Sequence, residues 1–100
     1  MSNIHFNHYR KAVVCLDYNR MYESIELAGS ITGCNPNCIR HVCRGRQQTT
    51  KNGLGIKLRW MYATEYGEKY GIDEALNLTF IDRLDYIEEV RNAKLILQNQ

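Results

Sequence analysis

One hundred residues, 44% hydrophobic and 24% charged, describe a single globular domain and exclude a disordered or collagen-like chain. The opening residues MSNIHFNHYR are polar and lack the apolar core of a secretory signal. No run approaches the ~20 apolar residues that span a bilayer. The expected setting is therefore cytoplasmic and reducing, without a membrane partner.

The net charge of +2 conceals a partition. Residues 1–26 hold three bases and three acids. Residues 27–64 hold six bases (Arg40, Arg44, Arg46, Lys51, Lys57 and Arg59) and no acid. Residues 65–100 hold eight acids and four bases. A long acid-free window carrying six bases is the kind of surface a polyanion prefers.

In chain order, residues 1–10 read as an N-terminal arm. Lys11–Leu16 is short, apolar and β-branched, which predicts a strand. Asp17–Arg20 supplies turn residues, and a second strand over 20–23 completes a hairpin. Ser24 caps a helix on which Ile25, Ala28 and Ile31 recur at helical spacing, and Gly33 ends it. Asn35 caps a second helix, with Pro36 at its first position, where a missing N–H does no harm. Ile39, Val42 and Cys43 form its inner face, and Gly45 closes it after Arg44.

Two short helices over 24–33 and 36–44, joined by a tight turn, make a helix-turn-helix. The outer stripe of the second helix carries Asn37, Arg40, His41 and Arg44. A structural stripe at this spacing would be apolar. These amide, guanidinium and imidazole groups suit base edges and phosphates instead.

Residues 46–56, including Arg46, Gln48, Thr49 and Lys51, are basic, polar and punctuated by glycine, as a loop beside phosphates would be. Lys57–Tyr62 alternates and predicts a strand, with Trp60 as a core anchor. In the tail, Ile72–Asn77 forms a helical turn. Thr79 caps a helix over 80–97 with an apolar face of Phe80, Leu84, Ile87 and Val90. Two readings of that helix stay open: it packs on the module, or it offers a face to a homodimer or another partner. The fold class is α+β, a small sheet with a central helix-turn-helix and a C-terminal helix. The expected organisation is an arm (1–10), a module (11–66) and an acidic helical tail (67–100).

Cys15, Cys34, Cys38 and Cys43 contain no C-x-x-C pair, so neither a zinc site nor any other cofactor is expected, and the thiols read as small buried hydrophobes. His5, Asn7 and His8 lie in an arm without the ββα frame that an HNH nuclease site needs. No nucleophile-elbow, P-loop or dinucleotide fingerprint appears. The chain is expected to bind rather than to catalyse.

The stretch from Lys11 to Tyr66 resembles the modular DNA-binding domain of intron-encoded and phage homing endonucleases. The elements that carry the resemblance are VVCLD, SIELAGSITG, CNPNCIRHVCRGRQQT and LRWMY. The most specific run is CIRHVCRGR, followed by Thr49 and by Trp60, Met61 and Tyr62. The resemblance implies that Asn35, Asn37, Cys38, Arg40, His41, Arg44 and Arg46 line a surface that faces double-stranded DNA. The expected mechanism places the 36–44 helix in the major groove while Arg46, Lys51 and Lys57 hold phosphates. Two features depart from the family. Its glycine pair is stretched to Asn52-Gly53-Leu54-Gly55, and the short arm cannot hold a nuclease domain. The implied role is that of a small phage or mobile-element DNA-binding protein. Two further readings are a protein-binding inhibitor of a host protein, working through the acidic tail, and single-strand binding by stacking on Tyr18, Tyr22 or Tyr66.

Overall fold

The computed structural model describes residues 11–83 together with Arg91. Among these residues the fold is α+β, with four helices, a four-stranded mixed sheet and a separate two-stranded hairpin. The strands are β1 (Val13–Cys15), β2 (Arg20–Tyr22), β3 (Thr50–Lys51), β4 (Lys57–Leu58), β5 (Trp60–Tyr62) and β6 (Thr79–Ile81). The helices are α1 (Ile25–Thr32), α2 (Pro36–Cys43), α3 (Ala63–Tyr70) and α4 (Ile72–Leu76).

The sheet runs β5-β1-β2-β6. β1 is antiparallel to both neighbours, with Val13 opposite Tyr22 and Tyr62 and with Cys15 opposite Arg20 and Trp60. β6 joins the outer edge of β2 in parallel, Met21 opposite Phe80. The turn between β1 and β2 places Asn19 at φ 53°, a left-handed conformation that asparagine tolerates better than most residues.

Side chains alternate across a strand, so this sheet feeds two cores. On one face Val13, Cys15, Tyr22 and Trp60 pack with Ile25, Ala28, Ile39, Val42 and Leu58 from the helix-turn-helix and hairpin. On the other, Ala12, Val14 and Met21 pack with Ala63 and Ala75, joined by Tyr66, Leu78 and Phe80. The helix pair α1–α2 thus covers one face and α3–α4 the other. That arrangement explains why residues 12–16 are apolar without a break: a strand covered on both sides has no polar face to show. Trp60 is 3% exposed, its ring 5.8 Å from that of Tyr22, so it is the core anchor its strand position predicted.

The structure corrects four expectations. The strand over 57–62 is interrupted at Arg59. Its backbone N–H donates to Asp17 Oδ2 at 2.7 Å, so β4 pairs with β3 and β5 with β1. The segment 46–56 is not wholly loop, because β3 rises from it. Residues 63–70 form α3, and the boundary drawn at residue 66 falls inside that helix. Phe80 lies in β6 rather than in a helix, because Thr79-Phe80-Ile81 is β-branched and aromatic and meets an open edge of β2. Arg83 has helical backbone, and its N–H donates to Glu23 Oε2 at 2.8 Å. The expected apolar face of Leu84, Ile87 and Val90 lies outside the described residues, as does the arm with His5, Asn7 and His8. Among the described residues no helix is long and apolar enough to cross a membrane.

The Asp17–Arg59 contact also sets a pH dependence. The guanidinium donates to Asp17 Oδ1 from Nη2 at 2.9 Å and from Nε at 3.2 Å. These side-chain bonds, and then the Arg59 backbone N–H, hold the Asp17 carboxyl below its ordinary pKa. A depressed folded-state value stabilises the fold above the unfolded pKa of about 4 and ceases to do so as acidification passes the lowered value. Both side chains are partly in solvent, which screens the effect. The melting temperature of Asp17→Asn should therefore lie below that of the wild type at pH 7, and the gap should close towards pH 3. A gap that persists unchanged in acid would remove the charge from the explanation.

Candidate nucleic-acid interface

The helix-turn-helix is assembled by local capping. Ser24 Oγ accepts from the Leu27 N–H at 3.1 Å and opens α1. Gly33 closes it at φ 79°, donating its N–H to Gly29 O at 2.9 Å. Asn35 Oδ1 accepts from the Asn37 N–H at 2.8 Å and opens α2, with Pro36 in its first turn. At the other end the Gly45 N–H donates to Val42 O and the Arg46 N–H to His41 O, with Gly45 at φ 75°. This is the paired six-to-one and five-to-two pattern of a Schellman cap.

Two glycines fix how the helices meet. A Cβ on Gly29 would lie 2.7 Å from the Cys34 carbonyl oxygen and 3.0 Å from Pro36 Cγ, so the absence of a side chain there lets the start of α2 cross α1. A Cβ on Gly33 would lie 2.9 Å from the Gly53 backbone nitrogen. The β3–β4 hairpin therefore rests against the turn of the helix-turn-helix, and β3 also packs against α2.

With Ile39, Val42 and Cys43 buried, α2 turns Asn37, His41 and Arg44 to solvent and leaves Arg40 half-buried. Arg40 Nη1 donates to Asn37 Oδ1 at 2.8 Å. This bond holds the guanidinium along the helix surface and leaves the Asn37 amide protons unused by it. Arg40 Nη2 also approaches Glu26 Oε1 of α1 at 3.9 Å, a contact at the limit of an ion pair with the carboxylate 75% exposed. Such pairs contribute little.

The sequence-predicted residues divide into groups. Arg44, Arg46, Lys51 and Lys57 are exposed, and none of them forms an ion pair among the described residues. Arg59, the sixth base of the acid-free window, is taken up by Asp17. Asn35 is exposed but spends its side-chain oxygen on the helix cap. Gln48 is exposed, while Thr49 and Cys38 are half-buried. Among the proposed stacking residues, Tyr22 is 1% exposed in the core, where no base can reach its ring. Tyr66 packs in the second core, its ring 4.7 Å from Tyr70.

Three of the four thiols, Cys15, Cys34 and Cys43, belong to the core, whereas Cys38 is only half-buried. Burial pushes the Cys43 pKa up to about 12, aided by the negative charge of Glu65, and burial likewise raises Cys15. Among the described residues no group of three or more His, Cys, Asp or Glu is placed to hold a metal ion.

Sequence reasoning passed over Leu54. It is 85% exposed at the tip of the β3–β4 hairpin. The stretched Asn-Gly-Leu-Gly segment was the available signal, since glycines around one large apolar residue mark a tip rather than a core strand. Compared with family models, with curated proteins and with solved structures, the chain matches none.

Proposed function

We propose that the chain binds double-stranded DNA, with α2 in the major groove and the hairpin on the flanking phosphates, and that it does so without chemistry on the strand. The observation that carries this reading is a division of labour on α2. The apolar half is consumed by the core, and the solvent half is an amide-guanidinium-imidazole stripe. That stripe continues in sequence to Arg46, Lys51 and Lys57, with no acid between residues 27 and 64. Helices are read through such a face, and cations beside it fix the register on the duplex. Asn37 and Arg40, bonded to each other, present the Asn37 amide protons and a guanidinium as one pre-oriented unit, donors suited to the N7 and O6 acceptors of a guanine edge.

One small module makes few contacts, so affinity should be modest and steeply dependent on salt. Anisotropy of a labelled mixed-sequence duplex, measured at low and physiological salt with single-stranded competitor, tests the reading. The expected result is duplex binding that weakens by about tenfold or more between about 50 and 200 mM salt and resists the single strand. Salt-independent binding, or displacement by the single strand, would contradict it, and specific nicking of plasmid in magnesium or manganese would contradict the absence of chemistry.

A further inference from the structure

The tip of the β3–β4 hairpin is built to hold one apolar side chain in water. Asn52 Oδ1 accepts from the N–H groups of Leu54 and Ile56, both at 2.9 Å. The Asn52 N–H donates to Ile56 O at 2.9 Å, and Asn52 O accepts from the Gly55 N–H at 3.0 Å. Asn52 Nδ2 also donates to the Tyr18 hydroxyl at 3.3 Å. One asparagine therefore ties the turn from inside, Gly55 takes the left-handed bend at φ 82°, and Gly53 is seated against Gly33. The backbone is fixed by these contacts rather than by burying Leu54.

Around the projecting Leu54 lie two further exposed apolar side chains and two cations. Ile56 is 47% and Tyr18 40% exposed. Lys51 and Lys57 stand opposite each other in the β3–β4 register, both exposed. Protein partners are captured by broad apolar patches. A tied tip led by one leucine that is 85% exposed, with a cation on each strand behind it, fits a different target, a stack of bases between two phosphate backbones.

We propose that Leu54 is a DNA wedge: it enters the minor groove next to the site of α2, separates one base step and bends the duplex, while Lys51 and Lys57 neutralise the phosphates on either side. This rests on the duplex-binding reading above and adds to it a mode of contact and a consequence, DNA bending. Apolar wedges of this kind kink DNA by ~20–90° and act most easily where stacking is already weak. The seating of Gly53 on Gly33 fixes the tip to the turn that leads into α2, so wedge and reading helix would engage together.

The test uses the full chain and a duplex of about 30 base pairs, short against the ~150-base-pair persistence length of DNA. The duplex carries a fluorophore at each end, and it is prepared fully paired or with a central two-base mismatch. Anisotropy reports binding, and energy transfer between the ends reports bending. Wild-type protein is expected to raise the transfer on saturation and to prefer the mismatched duplex by about tenfold, since the mismatch removes most of the unstacking cost. Leu54→Ala, a change at an exposed position that leaves the core intact, should keep the salt dependence that the cations set but lose both the rise in transfer and the preference. Leu54→Phe should keep them. Wild-type binding with no change in transfer, or bending by Leu54→Ala equal to wild type, would overturn the wedge and leave duplex binding standing. No anisotropy change with either duplex would overturn both.

Discussion

Gly29→Val should destabilise the fold by on the order of 3 kcal/mol, at the upper end of what inserted methyl groups cost in packed sites. The first added carbon alone lies 2.7 Å from a backbone oxygen, Cys34 O, and 3.0 Å from the Pro36 ring. Neither neighbour is the free end of a flexible side chain. Relief requires α1 and the start of α2 to part, which draws Ile39 and Val42 from the core that Ile25 and Ala28 share with them. Removing a helical glycine returns only about 1 kcal/mol of backbone propensity, and a β-branched residue returns less. In a domain of this size the melting temperature should fall by roughly 12–24 °C. Gly53→Ala is the matched control, since a Cβ there meets nothing within 4 Å, and it should be close to neutral. DNA affinity of Gly29→Val should drop even where the protein remains folded, because the start of α2 is displaced. A variant that melts like wild type would mean that the two helices do not cross as closely as described.

Arg44→Ala and Arg40→Ala should each weaken duplex binding by about 1–3 kcal/mol, roughly 5- to 150-fold, if their guanidiniums reach base edges. The two differ in how they are held. Arg44 is exposed at the end of α2 and forms no ion pair among the described residues, whereas Arg40 is anchored to Asn37 and lies near Glu26. Arg40→Ala should therefore couple with Asn37→Ala, the double variant losing less than the two single effects combined. Glu26→Gln provides a sign test. If the Arg40–Glu26 contact serves the fold, the substitution lowers stability. If the face serves DNA, removal of a carboxylate beside it strengthens binding and leaves stability within about 0.5 kcal/mol. Unchanged affinity in both arginine variants would remove α2 from the interface.

Local signals that act within a few residues were legible in the sequence. Ser24, Gly33, Asn35, Pro36 and Gly45 each occupy the cap position their chemistry predicts, because a capping bond needs only neighbours three or four residues away. The buried face of α2 followed from its helical period, and β1 from a short apolar run rich in β-branched residues. What remained hidden depends on partners far along the chain. Arg59 breaks its strand because Asp17, 42 residues earlier, takes its N–H. Thr79–Ile81 becomes a strand because the edge of β2 is open. Residues 63–70 lack the wide apolar stripe that announces a helix, since only Ala63 and Gly67 are buried on α3. At the candidate site the stripe on α2 was legible, but the orientation of Leu54 was not. Asn52 ties the tip locally, but the seat of the tip on Gly33 and its bond to Tyr18 span about twenty residues or more.

The tail also bears on how function can be assigned. β6 and Ala75 belong to the same packed unit as β1 and β2, so truncation at residue 72 would expose Val14 and Met21 and confuse unfolding with loss of a partner surface. Point substitutions on α2 and at the hairpin tip avoid that confusion.

In the proposed complex the polar face of α2 meets duplex DNA. The most direct measurement is an amide chemical-shift map of the isotope-labelled chain titrated with a mixed-sequence duplex. Shifts concentrated at residues 35–46 and 51–57, with α3 and α4 quiet, are the predicted result. Shifts confined to residues 63–83, with Arg40, His41 and Arg44 unmoved, would contradict it.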